Sequence, residues 1–322
     1  MTKVKIGLAL GCGAARGWAH IGVLRGLLDA GIVPDVVAGT SIGAVVGGCH
    51  IAGRLDTLEE FARGLTRRRV FGYLDFNMTG SGLITGQRLR DRLLNHLGDV
   101  TIESLDTLFT AVATEIGTGH EIWLSRGRLV DAIRASYALP GIFKPVNVGG
   151  RWLFDGALVN PVPVSVCRAL GARYVIAVNL NGDMCGRGTV MPHIDAAAHD
   201  SAPAEPGGEQ KNGRSALKLL QRQVVGSTEA APGISTVVVE ALNIVQDRIA
   251  RSRLAGDPPD FMIQPRLAGI GPFDFHRAED LIARGLAAAR REVEDITREI
   301  DVRRMFEPRV AQNPSADQPA QH

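Results

Sequence analysis

The sequence has few cysteines, and their spacing excludes two classes of protein. Its four cysteines lie far apart and form no CxxC pair: Cys12, Cys49, Cys167 and Cys185. This pattern gives neither the ligand spacing of a zinc site nor the dense disulfide framework of a small secreted domain. A reducing, cytoplasmic location is therefore expected.

Long apolar runs are also missing. The most apolar window, residues 36–51, is interrupted by glycines and falls short of the ~20 apolar residues that a spanning helix needs. Near the N-terminus, Lys3 and Lys5 border an apolar run at residues 6–10, which is shorter than the roughly 7 to 15 residues of an export signal. We therefore predict a strand there, and we expect any membrane contact to be peripheral, at the inner membrane surface.

The sequence has almost no excess charge of either sign. Lys plus Arg number 36 against 34 Asp plus Glu, which gives a formal net charge of +2. Such a balance provides no field that would concentrate polyanions, so nucleic acid is not an expected partner. Hydrophobic residues make up 45% of the 322 residues, as is ordinary for a globular protein with a large core. Nothing in the sequence indicates the oligomeric state.

Short apolar runs alternate with segments of helical periodicity along most of the chain. We predict strands at residues 4–10, 36–38, 110–115, 120–124, 174–179 and 261–264, a hairpin at 147–153, and helices at 17–30, 42–52, 87–97, 129–136, 164–170, 215–225, 236–249 and 278–300. Continuous apolar strands that alternate with helices are typical of an α/β fold, here a three-layer α/β/α fold with a mainly parallel central sheet.

Two segments differ from this pattern. Residues 181–214 are rich in glycine and proline and poor in large apolar residues, which predicts a mobile loop or lid. Residues 307–322 are rich in proline and glutamine and predict a disordered tail. A single domain is therefore expected over residues 1–306, with its core motifs within residues 6–180.

A GxSxG pattern, Gly39-Thr40-Ser41-Ile42-Gly43, falls between a predicted strand and a predicted helix. In that context a sharp turn lifts the serine hydroxyl out of the sheet, while Gly39 and Gly43 avoid steric clashes. The free amides and the positive dipole end of the following helix would face the negative charge that develops in acyl transfer. Ser41 is therefore the candidate nucleophile. A simple packing turn remains the alternative in a chain with 38 glycines.

The small residues 11–14, which end the first predicted strand, are a second source of amides. The turns after both strands lie at the carboxyl edge of a parallel sheet, where ligands usually bind. A dinucleotide-binding GxGxxG motif is the competing interpretation. It is disfavoured because Arg16 occupies the sixth position and Gly17 comes one residue late.

A nucleophilic serine needs a base, and Asp155 is the candidate. It follows an apolar run and precedes the small residues Gly156 and Ala157, so its carboxylate is expected at a strand end with open space beside it. A desolvated carboxylate within hydrogen-bond reach of Ser41 can accept its proton. A turn aspartate is the alternative for this position. His276 is the plausible third member of a serine, acid, histidine order, but its position before a helix favours a capping or core role.

Four stretches carry a family resemblance: LALGCGAARGWAHIGVL at residues 8–24, GTSIG at 39–43, ASYALP at 135–140 and DGA at 155–157. Together they resemble the patatin-like phospholipases, in particular bacterial members akin to the catalytic domain of neuropathy target esterase. The resemblance spans residues 6 to about 180. The region after residue 181 diverges, so the resemblance says little about substrate choice there.

The resemblance implies a Ser41–Asp155 dyad that works without histidine, metal or other cofactor. It also implies an oxyanion hole from the amides of Gly11, Cys12, Gly13 and Ala14, supported by Arg16 and Gly17, and a structural role for His20. Cys12 and Ala14 depart from the unbroken glycine run that is usual in the family. A positive φ at either residue would strain it by about 1–2 kcal/mol.

The implied activity is a serine esterase that cleaves a phospholipid, a lysophospholipid or a similar acyl lipid through an acyl-enzyme. An acyltransferase that uses the same serine, and a catalytically silent regulatory protein, are the alternatives. Residues 216–225, with Arg214, Lys218 and Arg222, form a candidate amphipathic helix for docking to a lipid surface; a helix that covers the sheet is the other interpretation.

Overall fold

The computed structural model describes residues 4–73, 82–84, 87–182 and 234–306. Its strands are β1 Ile6–Leu10, β2 Val36–Thr40, β3 Gly82–Ile84, β4 Leu108–Glu115, β5 Glu121–Leu124, β6 Gly141–Phe143, β7 Val146–Val148, β8 Arg151–Asp155, β9 Tyr174–Val178 and β10 Phe261–Ile263. Its α-helices are α1 Ala19–Asp29, α2 Ile42–Ile51, α3 Leu55–Arg63, α4 Arg67–Tyr73, α5 Gln87–Leu97, α6 Leu129–Ser136, α7 Val164–Ala169, α8 Ile234–Gly256 and α9 Ala278–Phe306.

Eight of the described strands form one mixed sheet in the order β10-β9-β1-β2-β4-β8-β7, with β5 also paired to β4. The five strands from β10 to β4 run parallel to one another, whereas β5, β7 and β8 join in antiparallel pairs. β3 and β6 form a separate two-stranded parallel sheet. The predicted α/β class with a mainly parallel sheet is confirmed.

Side chains of the parallel strands alternate between two hydrophobic clusters, because successive residues of a strand point to opposite faces of the sheet. Leu8 and Leu10 of β1 pack in a cluster with α1, α2 and α9, whereas Ala9 packs in the other with α7 and α8. Helices therefore cover both faces of the sheet.

Several elements differ in extent from the prediction. The helix predicted at residues 17–30 is a 3-10 turn at Ala14–Trp18 followed by α1, because Arg16 closes a tight turn by donating its amide proton to the Gly13 carbonyl. α8 and α9 extend beyond the predicted 236–249 and 278–300, and α3 was not predicted. Of the predicted loop or lid at 181–214, only Asn181 and Gly182 are described; the predicted helix at 215–225 and the tail at 307–322 lie outside the described residues. The domain limits of 1–306 stay a prediction.

α1 and α9 cross at two glycines. A Cβ at Gly22 would lie 1.9 Å from the Ile282 carbonyl oxygen, and a Cβ at Gly285 would lie 1.9 Å from the Ala19 carbonyl oxygen. The two backbones therefore approach each other more closely than any residue with a side chain allows. Of the described helices, none is both long and apolar enough to cross a bilayer.

Candidate active site

Strand register brings the candidate nucleophile and base to the same level of the sheet. In β2, Thr40 pairs with Val112 of β4, so Ser41 lies level with the next residue of β4, Ala113. In turn, Ala113 pairs with Asp155 of the antiparallel strand β8. Ser41 and Asp155 thus flank β4 at its carboxyl end, although 114 residues separate them in the sequence.

The two side chains are in direct contact. Ser41 Oγ donates a hydrogen bond to Asp155 Oδ2 over 2.7 Å, and the Ala157 amide donates to Asp155 Oδ1 over 2.8 Å. Both carboxylate oxygens are therefore oriented. The residue between Asp155 and Ala157 must be glycine, because a Cβ at Gly156 would lie 2.2 Å from the Val112 carbonyl oxygen.

The protonation of Asp155 is set by its surroundings. Its side chain is buried, and burial raises the pKa of this carboxyl to about 7. The hydrogen bonds from Ala157 and Ser41 favour the charged form and oppose this rise without cancelling it. A carboxyl that titrates near neutral pH within reach of a hydroxyl has the property that a general base needs.

The backbone of Ser41 is strained. Its φ of 59° and ψ of −123° lie outside the regions that residues with a side chain favour, which costs about 1–3 kcal/mol. The Ser41 amide donates to Ser136 Oγ over 2.9 Å, and this contact from the end of α6 holds the turn. Such a turn directs the Ser41 side chain toward Asp155.

The two glycines of the GxSxG pattern permit this turn to pack against the sheet. A Cβ at Gly43 would lie 2.1 Å from the Leu10 carbonyl oxygen, and a Cβ at Gly39 would lie 2.6 Å from the backbone of Ala44. Alanine at either position would displace the start of α2 from β1 and β2. The pattern therefore has the tight strand-to-helix turn that a nucleophile elbow requires.

The loop after β1 lies beside this elbow, but only part of it is available to bind an oxyanion. The Gly11 amide donates to the Val178 carbonyl over 3.1 Å, and the Cys12 amide donates to the Pro161 carbonyl over 2.9 Å. Donors that are already engaged cannot hold a substrate oxygen. The prediction that Gly11 and Cys12 contribute oxyanion amides therefore needs correction, since these two amides anchor the loop to the sheet.

Gly13 and Ala14 are the remaining members of the predicted set. No backbone acceptor in the described part of the chain engages either amide. Ala14 has a φ of 49°, and it shares a positive φ with Ser41 alone among the described residues that have a side chain. Of the two residues that replace glycines in this loop, Ala14 therefore has the strained backbone and Cys12 does not.

Arg16 and Gly17 hold the loop through contacts with Asn181 and with the start of α2. Arg16 is buried, and its Nη1 donates to Asn181 Oδ1 over 2.9 Å. A Cβ at Gly17 would lie 2.1 Å from the side chain of Ile42, so glycine lets this turn pack on the start of α2. The two turns of the site are therefore in direct contact.

Two other groups near the loop stay uncharged at neutral pH. His20 contacts the Gly11 carbonyl over 2.7 Å, and burial lowers the pKa of the imidazole to about 4. Burial also raises the pKa of the Cys12 thiol to about 12. His20 and Cys12 therefore add no charge to the loop at neutral pH.

The alternative third member, His276, lies elsewhere. Its Nε2 accepts a hydrogen bond from Arg67 Nε over 3.1 Å, on an exposed part of the surface. Within the described ranges, no histidine hydrogen-bonds to the Ser41 hydroxyl or to the Asp155 carboxylate.

Comparison with known proteins identifies the family. The patatin-like phospholipase family model matches residues 8–168, which include both turns and Asp155. An NTE family protein of Mycobacterium tuberculosis is 35% identical and covers 91% of this chain and 92% of that relative. The chain belongs to the patatin-like phospholipase family. The resemblance inferred from the motifs is thus confirmed, and the family assigns lipid hydrolysis at a general level.

More distant relatives match part of the chain. Neuropathy target esterase sws of Drosophila melanogaster is 33% identical over 56% of this chain and 13% of that protein. A second NTE family protein of M. tuberculosis is 29% identical over 88% of this chain and 46% of its own length. Among solved structures, VipD from Legionella pneumophila has a TM-score of 0.45 at 13% identity, covering 91% of this chain and 67% of that one.

Ser41 and Asp155 line an apolar cavity of about 200 Å³. One wall is a face of α2 on which Ile42, Val45 and Cys49 recur at helical spacing. Further apolar side chains come from α3, α5 and the segment before α9: Leu58, Phe61, Leu89, Leu93, Leu97 and Phe273. The polar residues Arg54 and His96 lie where α3 begins and α5 ends. The described lining of the cavity is therefore mainly apolar.

The sequence prediction missed several residues of the candidate site. Ser136 lies inside the motif at residues 135–140 that carries the family resemblance, but nothing in that motif indicated that its hydroxyl contacts Ser41. Asn243 and Gln246 of α8 also line the cavity, and no local motif marks them. Their position depends on how α8 packs against the loop after β1.

Proposed function

We propose that the chain is a serine acyl hydrolase that cleaves carboxylic esters of phospholipids or lysophospholipids through a Ser41–Asp155 dyad and an acyl-enzyme. The observation that carries this proposal is the 2.7 Å contact between Ser41 Oγ and Asp155 Oδ2 at the wall of an apolar cavity. Family membership supports lipid hydrolysis, and the geometry supports the residue roles.

Acylation begins when ionised Asp155 accepts the proton of the Ser41 hydroxyl. The serine oxygen attacks the ester carbonyl carbon, and the carbonyl oxygen becomes an oxyanion. The amides of Gly13 and Ala14, together with the N-terminal end of α2, are positioned to stabilise this charge. Collapse of the intermediate breaks the bond to the alcohol, and Asp155 returns the proton to the leaving oxygen.

Deacylation repeats these steps with water in place of the serine hydroxyl. Asp155 accepts a proton from water as the water oxygen attacks the acyl carbon. The same amides stabilise the second oxyanion. The proton then passes to Ser41 Oγ as the acid leaves, which restores the starting state. Each step uses only groups of the chain, the ester and water.

The cavity supports a substrate with a long acyl chain. The α2 face of Ile42, Val45 and Cys49 begins next to the nucleophile and follows the helix axis for about 10 Å, since each residue of a helix advances ~1.5 Å. An acyl chain attached to Ser41 can lie along this face and remove its apolar surface from water. The alcohol half of the ester then lies on the side of the cavity that is formed by the loop after β1 and by α8.

Contact with a lipid surface from the cytoplasmic side is a second part of the proposal. The candidate docking helix at residues 216–225 lies outside the described residues. Within them, α4 begins with three consecutive exposed arginines, Arg67, Arg68 and Arg69, and its next residue, Val70, lines the cavity. Cationic side chains beside a lipid-sized opening favour anionic membranes by about 1 kcal/mol each.

Two alternatives use the same fold. An acyltransferase would pass the acyl group from Ser41 to an added alcohol or thiol and not to water, so product analysis with a competing acceptor distinguishes it. A silent regulatory protein would not react with a fluorophosphonate probe.

The test compares wild type with Ser41→Ala and with the control Ser104→Ala, an exposed serine outside the site. We expect fluorophosphonate labelling and release of free fatty acid from phospholipid or lysophospholipid by wild type and the control, and neither by Ser41→Ala. Labelling that persists in Ser41→Ala, or transfer of the acyl group to the added acceptor in preference to water, would contradict the proposal.

A further inference from the structure

An amide donor lies buried and unpaired in the wall of the active-site cavity. Asn243, on α8, lines the same cavity as Ser41 and Asp155. Its Nδ2 is shielded from solvent and has no hydrogen-bond acceptor in the described part of the protein. Buried side-chain amides are almost always hydrogen-bonded, so this one calls for an explanation.

The unpaired donor is unfavourable for the free protein. Transfer of an amide N–H out of water without a new acceptor costs free energy, and an apolar side chain of similar size would avoid this cost. Such a cost is recovered if a bound molecule supplies the acceptor. Stability alone therefore does not account for asparagine at this position.

Gln246 places this face of α8 beside the reacting groups. It follows Asn243 by three residues, so the two side chains lie on the same side of the helix. Cys12 Sγ lies 3.6 Å from Gln246 Oε1, and Cys12 precedes the candidate oxyanion amides of Gly13 and Ala14. Asn243 is thus slightly less than one helical turn, ~4.5 Å along the axis, from the contact between α8 and the loop.

Other groups of the cavity match the acyl chain and the ester carbonyl oxygen, so the alcohol half of the substrate is the part that Asn243 can contact. The acyl chain matches the apolar walls from α2, α3 and α5, and the ester carbonyl oxygen matches the amides of Gly13 and Ala14. The alcohol half of a phospholipid carries hydroxyl, ester and phosphate oxygens, all of which accept hydrogen bonds. Asn243 and Gln246 are the carboxamide side chains among the described residues that line the cavity, and its guanidinium donors, Arg54 and Arg92, come from the start of α3 and from α5.

We infer that Asn243 donates its Nδ2–H to an oxygen of the alcohol half of the ester and thereby selects lipids with an oxygen-rich head group. The inference rests on the proposed function, since it assumes that Ser41 and Asp155 cleave an ester in this cavity. Asn243 is a specificity residue in this scheme and does not take part in proton transfer.

The test uses two esters of the same fatty acid, a lysophospholipid below its micelle-forming concentration and a p-nitrophenyl ester, whose alcohol half carries no hydroxyl or phosphate oxygen. Asn243→Leu removes the donor at similar size, and Asn95→Leu, on an exposed face of α5, is the control. We expect kcat/KM of Asn243→Leu for the lysophospholipid to fall by ~10- to 100-fold, as is typical when a hydrogen bond to a polar or charged oxygen is lost. For the p-nitrophenyl ester we expect a change of less than about threefold, as for the control on both substrates.

Thermal unfolding adds an independent readout. Because leucine removes an unpaired buried amide, we expect the midpoint of Asn243→Leu to equal or exceed that of wild type. A structural role for Asn243 would instead lower the midpoint and reduce hydrolysis of both esters alike.

An equal loss on both substrates, no loss on the lysophospholipid, or a lower midpoint would each overturn the inference. Failure of the proposed function has a different signature, because wild type itself would then lack Ser41-dependent hydrolysis of both esters.

Discussion

The Ser41 amide donates a hydrogen bond to the hydroxyl oxygen of Ser136 over 2.9 Å, and Ser136 is fully buried at the end of α6. This contact satisfies a backbone donor in a turn that is strained at Ser41. It links the nucleophile to a helix that the GxSxG pattern does not contain.

Ser136→Ala is expected to lower kcat by about tenfold and to destabilise the protein by about 1–3 kcal/mol, because the buried Ser41 amide loses its acceptor and the turn loses its support. Steady-state kinetics and urea unfolding measure the two effects, with Ser104→Ala as an exposed control. Unchanged kcat in Ser136→Ala would show that the strained turn holds without this contact.

The pH dependence of hydrolysis follows from Asp155. Only the ionised carboxylate accepts the Ser41 proton, and burial raises the pKa of this group to about 7. We therefore expect kcat/KM for an uncharged ester to rise with pH and to level off above an inflection near pH 7. A profile measured from pH 5 to 9 that stays flat, or that falls with rising pH, is incompatible with Asp155 as the base.

Stability should depend on pH in the opposite sense. The folded pKa of Asp155 lies above its ordinary value of 3.8, so between about pH 4 and 7 the folded chain holds a proton that the unfolded chain has released. The free energy of unfolding therefore falls as pH rises through this window. Above pH 7 the folded protein bears the full destabilisation of a buried, ionised Asp155.

Asp155→Asn removes this charge at almost the same size. We expect it to be inactive and, at pH 8, more stable than wild type by about 1–4 kcal/mol. The gap should shrink as the pH falls toward 4, which urea unfolding at pH 8 and pH 5 measures. A gap that widens on acidification would contradict the buried-charge argument.

Cys49 is expected to limit acyl-chain length. It lies seven residues after Ile42 on the α2 face that lines the cavity, and it is 4% exposed. Cys49→Phe should shift the preference toward short-chain esters by about tenfold or more, because phenylalanine fills the space that the distal methylenes need. Cys49→Ala is the matched variant and should favour longer chains. Competition between p-nitrophenyl esters of different length measures the shift, and parallel changes in the two variants would count against this role.

Charge reversal tests docking through α4. The double change Arg68→Glu and Arg69→Glu is expected to reduce binding to anionic vesicles by tenfold or more, since both side chains are exposed next to the cavity. The same reversal at Arg290 and Arg291 of α9 alters net charge equally and is the control. Vesicle co-sedimentation measures binding, and equal losses in the two double variants would point to net charge alone.

The sequence predicted the features that depend on neighbouring residues. Apolar runs marked the parallel strands, and GxSxG after a strand marked the elbow at Ser41. The helical spacing of Leu55, Leu58 and Ala62 in α3 was equally visible and could have been used.

Features that depend on long-range register were harder to predict. The pairing of Ala113 with Asp155 decides that this aspartate lies beside the serine, and no local pattern encodes it. The partners of the Gly11 and Cys12 amides lie more than a hundred residues away in the sequence, which is why the local motif did not reveal that these two amides are engaged. The local sequence marked Asp155 as a candidate base and the resemblance implied its pairing with Ser41, while the reason for their contact lies in the sheet.

The glycine crossing of α1 and α9 has a consequence for any shortened form of the protein. The family model ends at residue 168, yet α1, which directly follows the 3-10 turn beside the nucleophile, packs its Gly22 face on a helix that begins at residue 278. A fragment trimmed to the matched stretch would expose that shallow face to water. We therefore expect it to aggregate and not to act as an autonomous catalyst.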